Sequence, residues 1–271
     1  MAYPVISGPY GFKPVNLIGG QVFAGSTRNL PIPYGYNTNI FSGDFVQLSS
    51  GYVNILANTI AGNAAVGVFL GCSFTNPVTK QKMFSQYWPA GTLAGDAVAI
   101  VCDDPDTVFK AAVVTAAGTA TIASASSLLV GANMAGNTST GSISTGDSAG
   151  GVVAASSTAG NFRVLGLVPD TQVSTSATYV SGTGTTTVAV SGLPVGAVIP
   201  VGTDIFQSIG GQLQFTGSTV TSAATVTSST SQNLSVTAST ATIAAANPLV
   251  LVQTPEVLVK ITFGAHRYYV A

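Results

Sequence analysis

Short β-forming runs separated by chain breakers constrain this chain more than any other feature. The apolar run Val66–Leu70 lies between Gly62 and Gly71, and Ala97–Cys102 follows a Gly-Asp pair. Further along, Thr187–Val190 alternates polar and apolar residues with the period of two that is typical of a half-buried strand. Glycine, proline and aspartate at the ends of such runs favour turns. The pattern therefore predicts an all-β protein with mainly antiparallel strands.

The same criteria predict further strands, a loop over Gly141–Gly151 and one ambiguous segment. Thr119–Ser127 has no clear period and fits either a short helix or a strand. The additional predicted strands are Phe45–Leu48, Thr107–Lys110, Phe162–Val168, Gln212–Thr216, Asn233–Ala238 and Val257–Phe263.

Charged residues are rare in this chain. They make up 6% of the residues, whereas 46% are hydrophobic and the net charge is −1; soluble domains typically have about 25% charged residues. This composition excludes disorder, which requires low hydrophobicity and high net charge. Because near-zero net charge promotes association, we expect a partner to cover much of the surface. A secreted Ser/Thr-rich protein is the alternative that composition allows, and nothing indicates a basic nucleic-acid surface.

Charge density also divides the chain into parts. Residues 1–110 carry ten charged side chains, and residues 111–255 carry four. The prolines between Tyr3 and Tyr36 leave little room for a helix, so this segment should be extended and should lie on the chain's own core or on a neighbouring subunit. The predicted parts are an extended arm at residues 1–36, a β-barrel or sandwich core at residues 37–170 plus 247–271, and a small inserted β-domain at residues 171–246.

The sequence contains neither a membrane span nor a secretory leader by the usual criteria. No stretch approaches the roughly 18–20 apolar residues that a spanning helix needs. The first residues lack a basic segment followed by an apolar one, so we expect synthesis in the cytoplasm. Disulfides are rare in that compartment, and Cys72 and Cys102 are therefore expected to be free, buried thiols.

The sharpest catalytic motif is Gly146–Gly151, which reads Gly-Asp-Ser-Ala-Gly-Gly. It is similar to the Gly-Asp-Ser-Gly-Gly loop of chymotrypsin-like proteases, with one extra residue. Ser148 would need a histidine base and an orienting carboxylate. The single histidine, His266, follows the serine, whereas in that family it precedes the serine. We therefore predict a polar glycine loop and no enzyme activity.

Other candidate binding residues favour structural roles. Asp103, Asp104 and Asp106 form the only acidic cluster, but they lack the full ligand pattern of a calcium loop. One histidine and two distant cysteines do not make a structural zinc site. We predict no metal and no cofactor. The aromatic residue Trp88 suits a core or an interface better than a sugar-stacking platform.

Several runs resemble sequences in the head proteins of tailed phages, mainly marine and environmental ones. Those proteins look like capsid decoration, or cement, proteins. The resemblance implies a virion protein that binds the outside of the head and stabilises contacts between major capsid protein subunits. It does not cover residues 171–246. The runs are Tyr10–Gly20, Val66–Cys72, Phe84–Pro89, Val101–Asp106, Phe162–Gly166 and Val259–His266.

The resemblance also implies partners and a location. The partners would be the major capsid protein and further copies of the chain in a homotrimer on the capsid surface, with no nucleic acid and no membrane. The N-terminal arm would add strands or apolar anchors across a neighbour. The predicted interface residues are Tyr3, Pro4, Tyr10, Phe12, Leu17, Ile18, Phe23, Trp88, His266 and Tyr268.

Two other function classes stay open at the level of sequence. A tail or head-fibre protein of the same particle would share the low-charge β signature, and copy number would separate it from a shell protein. A carbohydrate-binding adhesin module would use Trp88 to bind glycans, and the missing secretory leader argues against it.

Overall fold

The chain folds almost entirely into β-strands, as a computed structural model shows. The described parts of the chain contain twenty-two strands and no helix. Most strand pairs are antiparallel, which confirms the predicted all-β class. The described residues are 9–56, 65–114, 130–137, 141–156, 160–168, 172–177, 184, 186–199, 201–210, 212–244, 247–252 and 256–262.

The chain divides into two compact units. One, which we call the inserted unit, comprises residues 167–256, and the other, the body, comprises the remaining described residues. Two body strands, β13 and β22, end at the boundary. The body strands are β1 (Phe12–Leu17), β2 (Arg28–Pro31), β3 (Ile40–Phe41), β4 (Phe45–Ser49), β5 (Tyr52–Ile55), β6 (Ala65–Thr75), β7 (Lys82–Ser85), β8 (Tyr87–Trp88), β9 (Val98–Cys102), β10 (Thr107–Val114), β11 (Asn133–Asn137), β12 (Gly151–Ser156), β13 (Phe162–Val168) and β22 (Glu256–Ile261).

The body contains two large sheets that pack in a sandwich-like arrangement. The first has the strand order β1-β10-β12-β11-β13-β22, with an additional pairing of β10 and β22. The second has the order β2-β9-β6-β4-β5, and β7 pairs with the far end of β6. The long strand β6 is buried along most of its length and lies inside its sheet, with β9 on one edge and β4 and β7 on the other.

Aromatic packing joins the two sheets of the body. The ring of Phe12 from the first sheet stacks on Phe162 at 4.3 Å between centroids, and Phe45 from the second sheet lies 4.7 Å from Phe162. A larger apolar cluster in the second sheet surrounds Phe69 and Trp88. Stacked and tilted rings of this kind add about 0.5–1.5 kcal/mol beyond the area that they bury.

The inserted unit is built around one six-stranded sheet with the order β18-β17-β21-β14-β15-β20 and a two-stranded β16-β19 ribbon. Its own apolar cluster includes Val188, Leu234 and Leu251. Its strands are β14 (Gln172–Ala177), β15 (Thr187–Ser191), β16 (Val198–Ile199), β17 (Asp204–Ile209), β18 (Gln212–Thr219), β19 (Ala224–Thr225), β20 (Gln232–Ser235) and β21 (Pro248–Val252).

The inserted unit extends further towards the C-terminus than the predicted domain at residues 171–246. Strand β21 lies in the middle of its sheet, between β14 and β17. The prediction assigned residues 247–271 to the core because normal charge density returns after residue 246. Pairing partners, and not charge density, determine where β21 belongs.

The predicted arm at residues 1–36 is integrated into the body over its described part. Strand β1 pairs antiparallel with β10, from Phe12 opposite Ala111 to Leu17 opposite Thr107. Strand β2 pairs with β9 in the second sheet. Of the two alternatives that the sequence left open, the described segment therefore lies on the chain's own core. Pro14 is tolerated in β1 because this is an edge strand.

Candidate interaction surface

Six of the ten predicted interface residues lie in the described part of the chain. Ile18 is exposed, at 49% of its surface. Tyr10, Leu17 and Phe23 are half-buried. Two more, Phe12 and Trp88, are buried. The four predicted residues that fall outside the described part are Tyr3, Pro4, His266 and Tyr268.

The burial of Phe12 and Trp88 corrects their prediction as partner contacts. Phe12 stacks on Phe162, and Trp88 meets Phe74 edge-on at 5.4 Å. The indole Nε1 of Trp88 donates a hydrogen bond to the carbonyl oxygen of Tyr36 at 3.1 Å. Both side chains are at most 1% exposed. They stabilise the body's own core, and Trp88 offers no free ring face on which a sugar can stack.

The β6–β7 hairpin exposes several large apolar side chains on the body. We call residues 75–85 the apolar hairpin. Val78 is 85% exposed, Phe84 79% and Met83 39%. Because consecutive side chains of a strand point to opposite faces, Met83 and Phe84 make both faces of β7 apolar. The sequence prediction missed this surface, although two large apolar residues in succession in a short strand are a usable signal.

Polar contacts fix the conformation of the apolar hairpin. The Asp96 carboxylate accepts hydrogen bonds from the Thr75 amide at 2.9 Å, the Thr75 hydroxyl at 2.8 Å and the Lys82 ammonium at 2.9 Å. The hydrogen bond from Lys82 lowers the pKa of Asp96 most, and the two hydrogen bonds from Thr75 lower it further. Together they hold this pKa well below its usual range. Asn76 closes the turn by accepting the Val78 amide at 2.8 Å. The exposed apolar side chains are therefore presented on an ordered support.

The outer edge of the apolar hairpin is open. Within the described residues, β7 pairs only with β6, in a register that places Cys72 opposite Ser85 and Thr75 opposite Lys82. An edge strand of this kind presents unpaired main-chain groups to which another chain can add a strand. The hairpin thus combines apolar anchors with a free strand edge.

The glycine loop Gly146–Gly151 supports the fold. Ser148 is only 2% exposed. Its Oγ accepts a hydrogen bond from the Gly150 amide at 2.9 Å, and its own amide donates to the Ser42 carbonyl oxygen at 2.9 Å. A hydroxyl enclosed in this way is not presented to a substrate. The geometry suits the predicted polar glycine loop and offers no support for a nucleophile.

Two buried carboxyl groups stand out, one in each unit. Burial raises the pKa of Asp44 to about 6, against opposing hydrogen bonds from the Ser148 side chain and the Phe41 amide. The Phe41 amide lies 2.7 Å from Asp44 Oδ2. Burial likewise raises the pKa of Asp204 to about 6, although the Thr219 hydroxyl donates to it at 2.7 Å. No cationic side chain in the described part of the chain pairs with either carboxyl group, so nothing offsets the cost of burying its charge.

The acidic cluster at residues 103–106 is divided among separate partners. Asp103 pairs with Arg28 at 2.5 Å, and Asp106 pairs with Lys260 at 2.8 Å. Asp104 accepts the amide of Asp106 at 2.9 Å and so closes the turn. In the described parts of the chain, no three acidic, histidine or cysteine side chains converge as a metal site would need.

Cys72 and Cys102 are buried free thiols. In the β6–β9 ladder, Cys72 lies opposite Ala99, whereas Cys102 lies opposite Val68. Several residues of extended strand therefore separate the two sulfur atoms, too far for a disulfide. Burial raises the pKa of Cys72 to about 12 and also raises the pKa of Cys102.

Neither a protein-family model nor a curated protein matches this chain. Within the described residues, no helix has the length and apolarity to cross a membrane. The function is therefore inferred from the residues of the chain and their geometry.

Proposed function

We propose that the protein is a virion structural protein, a capsid decoration protein that binds the outside of a phage head and stabilises contacts between major capsid protein subunits. The apolar hairpin carries this proposal. It presents exposed Val78 and Phe84 on an ordered support in a chain with only 6% charged residues. The all-β fold and the sequence runs that resemble phage head proteins support the same function.

The hairpin is suited to anchor the protein between neighbouring subunits. Phe84 and Val78 would enter an apolar recess on the shell, while the free edge of β7 pairs with a strand of the major capsid protein. Aromatic residues and methionine are enriched at the cores of protein interfaces. Because Asp96 already orders the hairpin, little conformational entropy is lost when it docks.

One hairpin supplies an anchor and not a complete interface. Full burial of Phe84 contributes about 2 to 3 kcal/mol. A stable interface typically buries about 800 Å² on each partner, so further contacts are required. We propose that three copies associate as a homotrimer on the capsid surface, which lets three hairpins bind together and raises the apparent affinity by avidity.

The first experiment measures the copy number of the protein in purified particles of the virus that encodes it. Mass spectrometry should find it in numbers comparable with the major capsid protein, and cryo-electron microscopy should place its density on the outside of the head. A few copies confined to the tail would favour the tail or fibre alternative. Absence from the particle would refute the proposal.

Point variants then test the hairpin itself. Phe84→Thr and Val78→Thr remove exposed apolar surface and place a β-branched residue, which strands tolerate well, at each position. Val22→Thr is the matched control, because Val22 is 81% exposed elsewhere on the body. Phe84→Thr should weaken binding to expanded heads about thirtyfold, and Val22→Thr should not weaken it. Equal binding of all three variants would exclude the hairpin as the contact.

A further inference from the structure

A cleft of about 360 Å³ lies over the adjoining strands β11, β13 and β22 of the body. It is separate from the apolar hairpin and mixes cationic, amide and apolar side chains. Pockets that bind small molecules have this composition, a mostly apolar lining with a few polar groups that fix orientation. The lining residues are Ile18, Asn133, Arg163, Leu165, Lys260, Ile261 and Thr262.

Arg163 supplies a positive charge to the cleft that no carboxylate among the described residues neutralises. Its Nε donates a hydrogen bond to Asn133 Oδ1 at 3.0 Å, and the two residues are cross-strand partners in the β11–β13 ladder. Its terminal nitrogens bond to no described residue, and no described carboxylate pairs with it. Lys260 differs, because it forms an ion pair with Asp106 at 2.8 Å. Asn133 therefore orients a guanidinium whose outer edge is available to a ligand.

Apolar side chains flank this guanidinium. Ile18 is 49% exposed and Leu165 37% exposed, and Ile261 completes the apolar lining. The main chain holds Ile18 in place, since its amide donates to the Asp106 carbonyl oxygen at 2.9 Å. Leu165 follows Arg163 by two residues on β13 and so projects from the same face of the strand. A charged group and an apolar group of one ligand can be bound side by side.

The charge of the cleft favours a carboxylate over a phosphate. The planar edge of a guanidinium can bind either group through two parallel hydrogen bonds, so the number of free cations decides between them. A phosphate carries more negative charge, and Lys260, the other cation in the cleft, is already paired with Asp106. We propose that the cleft binds a carboxylate joined to a short apolar group, with Arg163 holding the carboxylate and Ile18 and Leu165 covering the apolar part. This site does not depend on the proposed capsid function.

Such a ligand has two sources, a free short-chain acid or the C-terminal residue of a polypeptide that ends in an apolar side chain. Hexanoate represents the first source and N-acetyl-leucine the second. N-acetyl-leucinamide replaces the carboxylate of N-acetyl-leucine by an uncharged amide. Acetate tests whether the apolar group is needed, and inorganic phosphate tests whether the anion must be a carboxylate. The full chain is titrated with each probe while the Arg163 Nε–Hε signal is followed by NMR. The chain has three arginines, so Arg163→Gln identifies the signal by its loss.

We expect at least one of the two apolar acids to shift this signal in a saturable way, with a Kd of about 1 mM. N-acetyl-leucinamide should bind at least about tenfold more weakly than N-acetyl-leucine, since a charge-assisted hydrogen bond is lost. Affinity should rise up to about fourfold for each methylene that the cleft fully buries, so acetate should bind most weakly of the acids. Tighter binding of N-acetyl-leucine assigns the site to a polypeptide end, and tighter binding of hexanoate assigns it to a free acid.

Variants distinguish recognition from a general charge effect. Arg163→Gln and Lys80→Gln each lower the net charge by one, but Lys80 lies on the exposed tip of the β6–β7 connection. Binding to the variants is followed by the backbone amide signals of the cleft residues, because Arg163→Gln and Arg163→Lys lack the Arg163 Nε–Hε signal. We expect Arg163→Gln to abolish binding and Lys80→Gln to leave it unchanged. Arg163→Lys should bind weakly, and Leu165→Thr should reduce the advantage of hexanoate over acetate. No saturable shift with either apolar acid, equal binding of acid and amide, equal binding of phosphate, or full binding by Arg163→Gln would each overturn the proposal.

Discussion

Replacing Asp44 by asparagine should remove a large part of the pH dependence of the body's stability. Asp44 is 1% exposed, and burial raises the pKa of its carboxyl group from 3.8 to about 6. Between these two values the folded protein binds a proton that the unfolded chain releases. The stabilisation by Asp44 is therefore complete below about pH 4 and is lost as the pH rises through 6. A pKa difference of this size corresponds to about 3 kcal/mol.

The assay uses the single tryptophan of the chain. Trp88 is buried in the apolar cluster of the body, the unit that also contains Asp44. Its fluorescence during urea unfolding therefore reports the unit of interest. Other carboxylates contribute to the same curve, and Asp96 acts with the opposite sign because its pKa is lowered. The informative quantity is thus the difference between the wild type and Asp44→Asn at each pH from 4 to 7.5.

We expect the wild type to lose up to about 3 kcal/mol more of its unfolding free energy than Asp44→Asn between pH 4 and pH 7. Ser148→Ala is a second variant, which keeps the carboxyl group but removes a hydrogen bond that lowers its pKa. Its loss of stability should begin at the same pH, which the unfolded chain sets, but should continue to a higher pH than in the wild type and reach a larger total. Parallel pH profiles for the wild type and Asp44→Asn would refute the reasoning.

Three further predictions follow from burial and close packing. A Cβ at Gly67 would lie only 2.1 Å from the carbonyl oxygen of Cys102, so Gly67→Ala should lower the unfolding free energy by about 3 kcal/mol; an unchanged urea midpoint would contradict this contact. Cys72 and Cys102 should not react with a thiol reagent until the body unfolds, and rapid modification at neutral pH would show that β6 and β9 open readily. Ser148 should not be labelled by a fluorophosphonate probe, and labelling that depends on Ser148 would reopen the hydrolase interpretation.

Local strand patterns of this chain are readable from its sequence. The predicted run Phe162–Val168 is β13 with the same bounds, and Val66–Leu70 lies inside the longer β6. Thr187–Val190 forms most of β15. In each case the alternation of polar and apolar residues, or a short apolar run, indicates which faces of the strand are buried. The Thr119–Ser127 segment lies outside the described residues, so its alternatives stay open.

Partner choice in the sheets is not readable in the same way. The run Leu249–Val252 is strand-like in the sequence, yet nothing local indicates that β21 pairs with β14 and β17. The Pro-rich start of the chain indicates extended structure without indicating what it lies on. Phe12 packs on Phe162, 150 residues away, and only long-range pairing reveals this contact. The cleft was missed for the same reason, because exposure depends on what the rest of the fold leaves uncovered. For the hairpin, Met83 and Phe84 give a local signal of two apolar strand faces, but the sequence does not show that the fold leaves them exposed.

The pairing of β14 with β21 has a consequence for how such a gene can change. Gln172 lies directly opposite Val252, so the chain enters and leaves the inserted unit at neighbouring positions. In the body, β13 and β22, the strands on either side of this unit, are adjacent in their sheet. Recombination that replaces residues 169–255 by another domain, one whose N- and C-termini lie close together, would keep every strand of the body. The same junction is a natural position at which to fuse a foreign domain.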